Sequence, residues 1–178
     1  MNNIEVKRSK MLLIDLLVIV VFLAIDQFTK YLAIVKLKGK DSICLIKNVL
    51  EFQDLENRGS AFGILQNQKY FILFICIVFL AMILLFLYKL PQLKKFCPVH
   101  ILSAFVVAGG IGNMVDRIRF DYVVDFISFV LIDFPIFNVA DCYIVCGTIT
   151  LFILFLFVFK ERDLEFLNFK QNRYREMK

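Results

Sequence analysis

Apolar residues are collected into four long stretches separated by polar segments. Residues 70–88 and 142–159 contain no charged side chain, and residues 96–115 contain only His100. The first stretch is apolar apart from Asp15. Because a helix rises about 1.5 Å per residue, about 20 residues cross the hydrocarbon layer of a membrane. The pattern therefore predicts four spans with both termini on one side, at about 11–33, 70–88, 97–117 and 137–159.

The first stretch resembles a secretory signal peptide in one respect, because Lys7, Arg8 and Lys10 precede it. However, the polar residues 26–30 follow it where a cleavable signal needs small residues. We therefore expect a retained first span.

The segments between spans differ in character. In residues 36–69 apolar and polar positions are interspersed, which predicts short, half-exposed strands. Residues 118–135 are apolar enough to predict a connection lying at the membrane interface. Residues 160–178 mix both charges and predict a solvated tail. We interpret residues 1–178 as a single domain, an all-α membrane protein with a small extramembrane β element between spans 1 and 2.

Basic residues predict the orientation. The N-terminal tail, the connection between spans 2 and 3 and the C-terminal tail together hold 12 Lys and Arg, against seven on the opposite side. The positive-inside rule therefore predicts that both termini are cytoplasmic. Basic tails facing anionic lipid account for the net charge of +5, so we expect no nucleic-acid partner.

Polar residues that a membrane disfavours gather at one side of the four spans. Odd-numbered spans end, and even-numbered spans begin, on the same side. Intramembrane ionisable residues are costly and usually mark function. Several also share a helix face, through i, i+4 or i, i+3 spacing. The set is Asp26 and Lys30 at the end of span 1, Asn113, Asp116 and Arg117 at the end of span 3, and Asn138 and Asp141 at the start of span 4.

Each residue also has a structural interpretation. Asp26 and Lys30 can form an interfacial ion pair, and Asn113 can be a hydrogen bond between helices. The simplest interpretation of Asp116, Asp121 and Asp133 is a solvated carboxylate. Asp141 is hardest to explain in this way, because it enters an apolar stretch with no Lys or Arg nearby in sequence.

Asp125, in the connection before span 4, can reach Asp141. Two carboxylates in a poorly hydrated site cannot both ionise easily, so one keeps a proton while the other acts as a base. Such a pair can activate water against a peptide carbonyl.

Other chemistries have fewer of the residues they need. One His and no CxxC pair predict no metal site, and no serine has a GxSxG context. A Ser–Lys dyad using Lys30 is chemically possible. From the residues alone, a membrane aspartic protease and a proton-coupled small-molecule or ion transporter remain close alternatives.

Five sequence blocks occur in order: DQFTK from Asp26, NRGSAFG from Asn57, GNMVDR from Gly112, VVDFI from Val123 and FNVAD from Phe137. This series resembles the signature blocks of the lipoprotein signal peptidases, also called signal peptidase II. The resemblance covers about residues 11–160.

The resemblance implies a peptidase of the bacterial inner membrane that removes the signal peptide from diacylglyceryl prolipoproteins before the lipidated Cys. It implies an outer-leaflet site, a small extracytoplasmic β-cradle between spans 1 and 2, no cofactor, and prolipoprotein and membrane lipid as partners. We also expect a monomer. The catalytic pair falls on Asp125 and Asp141, and the substrate-binding or site-supporting positions fall on Asp26, Lys30, Asn57, Gly59, Asn113, Arg117 and Asn138. Ser60, Asp121 and Ser128 depart from the family pattern outside this set.

Overall fold

A computed structural model describes residues 4–59, 65–160 and 163–164. The helices are α1 (Arg8–Leu37), α2 (Lys69–Lys89), α3 (Cys97–Phe120) and α4 (Val139–Phe157), and all four are long and apolar enough to cross a membrane. The strands are β1 (Ile43–Ile46), β2 (Leu50–Asn57) and β3 (Val123–Phe129). Short 3-10 turns at Lys94–Phe96 and Val130–Ile132 precede α3 and follow β3.

The third helix is the centre of the bundle. It packs closely against α1 and α4 and more sparsely against α2. Glycines permit the close approaches: a Cβ at Gly109 would lie 2.5 Å from the carbonyl oxygen of Ala140, and a Cβ at Gly112 would meet the carboxylate of Asp26. Polar side chains of α1, α3 and α4 therefore come into direct contact near one end of the bundle.

The three strands form one antiparallel sheet in the order β1-β2-β3. Val124 and Phe126 of β3 pack with Ala33 and Leu37 of α1 in a buried cluster. This contact fixes the sheet on the end of α1. Because Asn57 ends β2 opposite Val123, the polar end of β2 lies beside the strand that carries Asp125.

The predicted fold class is confirmed: four apolar helices, with a small sheet that includes the strands expected between the first two. The sequence did not predict the secondary structure of the connection before α4: residues 123–129 form β3, so Asp125 lies on a strand rather than in a loop. This strand forms because β2 pairs with it, and the sequence alone does not show which segment would pair there. That the connection lies at the membrane interface stays a prediction. The tail from 165 onward lies outside the described residues.

The helix ends opposite the sheet are held together by backbone pairing and an apolar cluster. The Val6 N–H donates to the Gln92 carbonyl at 2.8 Å, which joins the N-terminal segment to the α2–α3 connection. Leu90, Phe96 and Val99 are buried there. The N-terminus and this connection therefore lie at the same end of the bundle.

Candidate active site

Two carboxylates at the sheet end of the bundle are held entirely by neutral donors. Asp125 accepts from the Asn57 amide at 2.8 Å and from the Asn138 amide at 2.6 Å. Asp141 accepts from the Asn113 amide at 2.7 Å and from the backbone N–H of Asn138 at 3.1 Å. Each of the four carboxylate oxygens thus receives one hydrogen bond from an amide. Neither acid forms an ion pair within the described part of the chain.

Asn138 joins the two acids. Its side-chain oxygen accepts from the Asp141 N–H while Asp141 accepts from the Asn138 N–H, which is a reciprocal capping box at the start of α4. The Asn138 amide also donates to Asp125 and, at 3.1 Å, to the Asn113 oxygen. One fully buried side chain therefore begins a helix and positions both carboxylates.

The segment after β2 is fastened to the same site. The Gly59 N–H donates to the Asn57 side-chain oxygen at 3.0 Å, which turns the Asn57 amide group toward Asp125. Arg117 donates to the Gly59 carbonyl at 2.8 Å and to the Asn113 carbonyl at 3.2 Å. Arg117 thus fixes the two backbone segments that carry Asn57 and Asn113, which donate hydrogen bonds to the acids. The neighbouring residues 60–64 lie outside the described part of the chain.

Behind the two acids is a buried ionic cluster. The Lys30 ammonium lies 3.1 Å from Asp26 and 2.9 Å from Asp116, and it donates to the Asn113 oxygen at 2.8 Å. All three charged side chains are at most 3% exposed, so each depends on the others for compensation. Gln27 donates to Asp116 at 2.9 Å and to Asp26 at 3.2 Å.

The cluster also orients the backbone around it. Asp26 accepts from the Ala140 N–H in the first turn of α4 at 3.0 Å, and Asp116 accepts from the Val124 N–H of β3 at 3.2 Å. A carboxylate at a helix N-terminus interacts favourably with the free N–H groups and the helix dipole. The two acids of the cluster therefore position the elements that carry Asp141 and Asp125.

The environment of Asp125 shifts its proton equilibrium toward the protonated form. Burial raises the pKa of Asp125 to about 6, with a further contribution from the nearby Asp141 and opposition from the hydrogen bonds of Asn57 and Asn138. The described site contains four acids, Asp26, Asp116, Asp125 and Asp141, and two cations, Lys30 and Arg117. Two cations cannot balance four ionised carboxylates, which agrees with the raised pKa of Asp125.

The structure brings together all nine site residues predicted from the sequence. The i, i+4 pairing of Asp26 with Lys30 is confirmed. Two residues of this region were missed or misinterpreted. Asp116 was expected to be solvated but is 1% exposed, and Gln27 was given no role. Asp121 and Asp133 are exposed, which agrees with their interpretation as solvated carboxylates. The contact between Gln27 and Asp116 joins α1 to α3, so it can be seen only once the two helices are packed together.

A second buried polar pair lies toward the other end of the bundle. Nδ1 of His100 on α3 lies 2.8 Å from the Asp15 carboxylate on α1, and both side chains are buried. Asp15 lies 11 residues before Asp26 on α1, and His100 lies 13 residues before Asn113 on α3, so the pair links α1 to α3 without touching the site.

The family model for signal peptidase (SPase) II matches residues 18–157. The chain belongs to the signal peptidase II family. Among curated relatives, a lipoprotein signal peptidase of Caldanaerobacter subterraneus is 43% identical over 143 residues, covering 79% of this chain and 95% of the relative. One from Clostridium tetani is 36% identical over 154 residues, covering 85% and 96%. A bacterial membrane enzyme solved by the in meso method at 2.3 Å is similar with a TM-score of 0.74 and 31% identity, covering 88% of this chain and 93% of that one.

Family membership confirms the resemblance drawn from the five sequence blocks. This signal peptidase II family member is a protease, and its four apolar helices make it a multi-pass membrane protein of bacterial type. The comparisons favour the peptidase over the transporter alternative.

Proposed function

We propose that the chain is an aspartic endopeptidase that removes signal peptides from diacylglyceryl prolipoproteins by cutting before the lipidated Cys. Its substrate class follows from the relatives named lipoprotein signal peptidases. The aspartic mechanism rests on one observation: Asp125 and Asp141 are both held by neutral amide donors and share Asn138 as a common partner. We propose a single catalytic domain that acts as a monomer.

In the proposed mechanism Asp125 and Asp141 hold one proton between them and a water molecule. The ionised carboxylate accepts a proton from the water, whose oxygen attacks the carbonyl carbon preceding the lipidated Cys. The protonated carboxyl donates to the carbonyl oxygen, and a proton then passes to the leaving amine as the C–N bond breaks. The chemistry requires no cofactor.

The nature of the partners separates catalytic acids from supporting acids. Asp26 and Asp116 each form an ion pair with the Lys30 ammonium, at 3.1 and 2.9 Å, so their partner is a cation. Asp125 and Asp141 face amides, which hold a carboxyl group in place without opposing a shared proton as strongly as a cation would. We therefore assign catalysis to Asp125 and Asp141, and positioning to the other residues of the site.

The deciding experiment uses purified protein in detergent or lipid. A precursor carrying diacylglyceryl at its lipobox Cys should be cleaved immediately before that Cys, and the unlipidated precursor should be cleaved much more slowly. Mass spectrometry of both products locates the cut. Equal cleavage of both precursors, or a cut elsewhere, contradicts the proposed substrate.

Removing the Asn57 amide is expected to shift the pH dependence of cleavage. Because that amide donates to the ionised form of Asp125, its loss in Asn57→Ala raises the pKa of Asp125 further above its starting value of about 6. The shared proton then persists to higher pH. The descending alkaline limb of kcat/KM, which reports loss of that proton, should move to higher pH than in the unmodified enzyme.

Gln53→Ala, on the same strand, is the matched control and should leave the limb in place. A lower kcat/KM without movement of the limb would contradict the assignment of Asn57 to Asp125. Movement of the limb to lower pH would contradict it also.

We propose that both termini are cytoplasmic and that the site faces the outer leaflet, as the distribution of basic residues indicates. The exposed thiol of Cys44 on β1 provides a native probe. In spheroplasts a membrane-impermeant maleimide should label a variant that retains only Cys44. A variant whose single thiol is introduced by Lys94→Cys should react only after lysis. The reverse pattern would place the site in the cytoplasmic leaflet.

A further inference from the structure

An apolar pocket opens between α2, α3 and α4 within the membrane-spanning part of the bundle. It has a volume of about 240 Å³. Phe79 and Ile83 of α2, Ser103 and Val106 of α3, and Thr148 and Leu151 of α4 contribute to its lining. With only two hydroxyl groups among these six side chains, the pocket suits hydrocarbon rather than a headgroup or a peptide backbone.

The pocket lies directly beneath the proposed catalytic site. Thr148 is seven residues along α4 from Asp141, and Val106 is seven residues along α3 from Asn113. Seven residues are close to two full helical turns, so each lining residue lies on the same face as its site residue and about 10 Å deeper. Leu151 and Ser103 lie about 15 Å deeper by the same measure.

Contacts of α2 bound the pocket at both ends. Gly110 lies between Val106 and Asn113 on the same face of α3, and its missing side chain leaves room for Leu80 of α2, whose Cδ2 would be 2.9 Å from a Cβ at that position. At the opposite end the rings of Phe86 and Phe155 meet with centroids 6.2 Å apart, which joins α2 to α4. The pocket is thus bounded at both ends and opens sideways, where the side chains of Phe79 and Thr148 are exposed, and a chain attached at the site reaches it along this side.

The depth and volume of the pocket match the distal part of one acyl chain. Half of a hydrocarbon layer of about 30 Å is about 15 Å, so a chain attached at the interface ends at the depth of Thr148 and Leu151. A helix, with a diameter of about 10 Å or more, does not fit into a pocket of this volume. A phospholipid chain has the same chemistry, but its headgroup has no reason to sit over Asp125 and Asp141.

We propose that this pocket binds the distal part of one acyl chain of the substrate's diacylglyceryl group, and so measures chain length. The proposal rests on the proposed peptidase function. Lipid is as apolar as the pocket, so binding depends on close van der Waals packing rather than on transfer from water. Specificity for long chains therefore depends on the shape of the pocket, which a larger side chain destroys.

The kinetic test compares precursors bearing hexadecanoyl or octanoyl chains. In Thr148→Phe and Ile83→Phe, KM for the hexadecanoyl precursor should rise roughly threefold to tenfold with kcat unchanged. KM for the octanoyl precursor, whose chains end above the pocket, should not change. Thr150→Phe is the matched control, because Thr150 is exposed on another face of α4, and it should behave as the unmodified enzyme.

Two kinetic outcomes overturn the proposal. One is equal KM for both precursors in the unmodified enzyme and the pocket variants. The other is an equal rise of KM for the hexadecanoyl and octanoyl precursors, which indicates a general distortion of the helices.

Cross-linking tests occupancy without requiring cleavage. A hexadecanoyl precursor with a photoreactive diazirine near its chain end, bound to Asp125→Asn enzyme, should label peptides containing residues 148–151 and 79–83. Labelling by a photoreactive phospholipid that excess precursor does not displace would assign the pocket to membrane lipid and overturn the proposal. Because the label is read independently of turnover, failure of the pocket is distinguishable from failure of the peptidase assignment.

Discussion

Replacement of either Asp125 or Asp141 by Asn is expected to reduce precursor cleavage by roughly 10²–10⁴-fold, the range for loss of a general acid or base. An Asn amide has the shape of the carboxyl group, and its single oxygen can keep one of the two hydrogen bonds that each carboxyl group accepts. However, an amide neither takes a proton from water nor shares one with its neighbour. We therefore expect both variants to accumulate in the membrane as folded protein while single-turnover cleavage of a lipidated precursor is lost.

Matched controls use the same substitution at exposed aspartates near the site. Asp121→Asn and Asp133→Asn lie at either end of the segment that carries Asp125, and both side chains are exposed. They should retain most of the cleavage rate. Near-normal cleavage by Asp125→Asn or by Asp141→Asn would refute the proposed pair, provided that folded protein is quantified in parallel.

Lys30→Met is expected to lower the free energy of unfolding by about 3–5 kcal/mol, because it leaves two buried carboxylates without their cation. The ammonium, the Asp26 carboxylate and the Asp116 carboxylate are all at most 3% exposed. Thermal unfolding in detergent and the amount of protein in the membrane measure the effect.

Lys38→Met is the matched control, since Lys38 pairs with Glu56 but its side chain is 50% exposed. Its expected cost is much smaller than that of Lys30→Met, because water screens an exposed ion pair. Adding Asp26→Asn and Asp116→Asn to Lys30→Met removes the stranded charges and should recover part of the lost stability. A Lys30→Met protein as stable as the Lys38→Met protein would show that the buried cluster does not hold the bundle together.

The helices were predictable because hydrophobic length is a property of a local segment. Their predicted limits differ from the observed ones by up to four residues, as at α1, which extends to Leu37. The strand β3 was not predictable in the same way. Residues 123–132 are apolar apart from Asp125 and Ser128, and only the pairing of Leu50–Asn57 with Val123–Phe129 shows that part of this segment is a strand.

The sequence predicts which residues form the polar site but not all of the contacts among them. Topology alone places the ends of spans 1 and 3 beside the start of span 4, and i, i+4 spacing predicts the contact of Asp26 with Lys30. The sequence does not show that Asp116, apparently a helix-end residue, turns inward to share Lys30. That contact depends on the close approach of α1 to α3 at Gly112, which is a property of packed helices.

The hydrogen bond from the Ala140 N–H to Asp26 has a consequence for biosynthesis. Its two partners are 114 residues apart in the chain, and Asp26 emerges from the ribosome with the first helix. In the nascent protein only Lys30, one turn away, is available to neutralise it. Asp116 is synthesised next, as part of α3, and the Ala140 N–H follows with α4. The fourth helix is therefore the last element to contact the Asp26 carboxylate. Because α4 also carries Asp141, a partly inserted chain lacks half of the proposed catalytic pair. Hydrolytic competence would then arise only when synthesis of the bundle is complete.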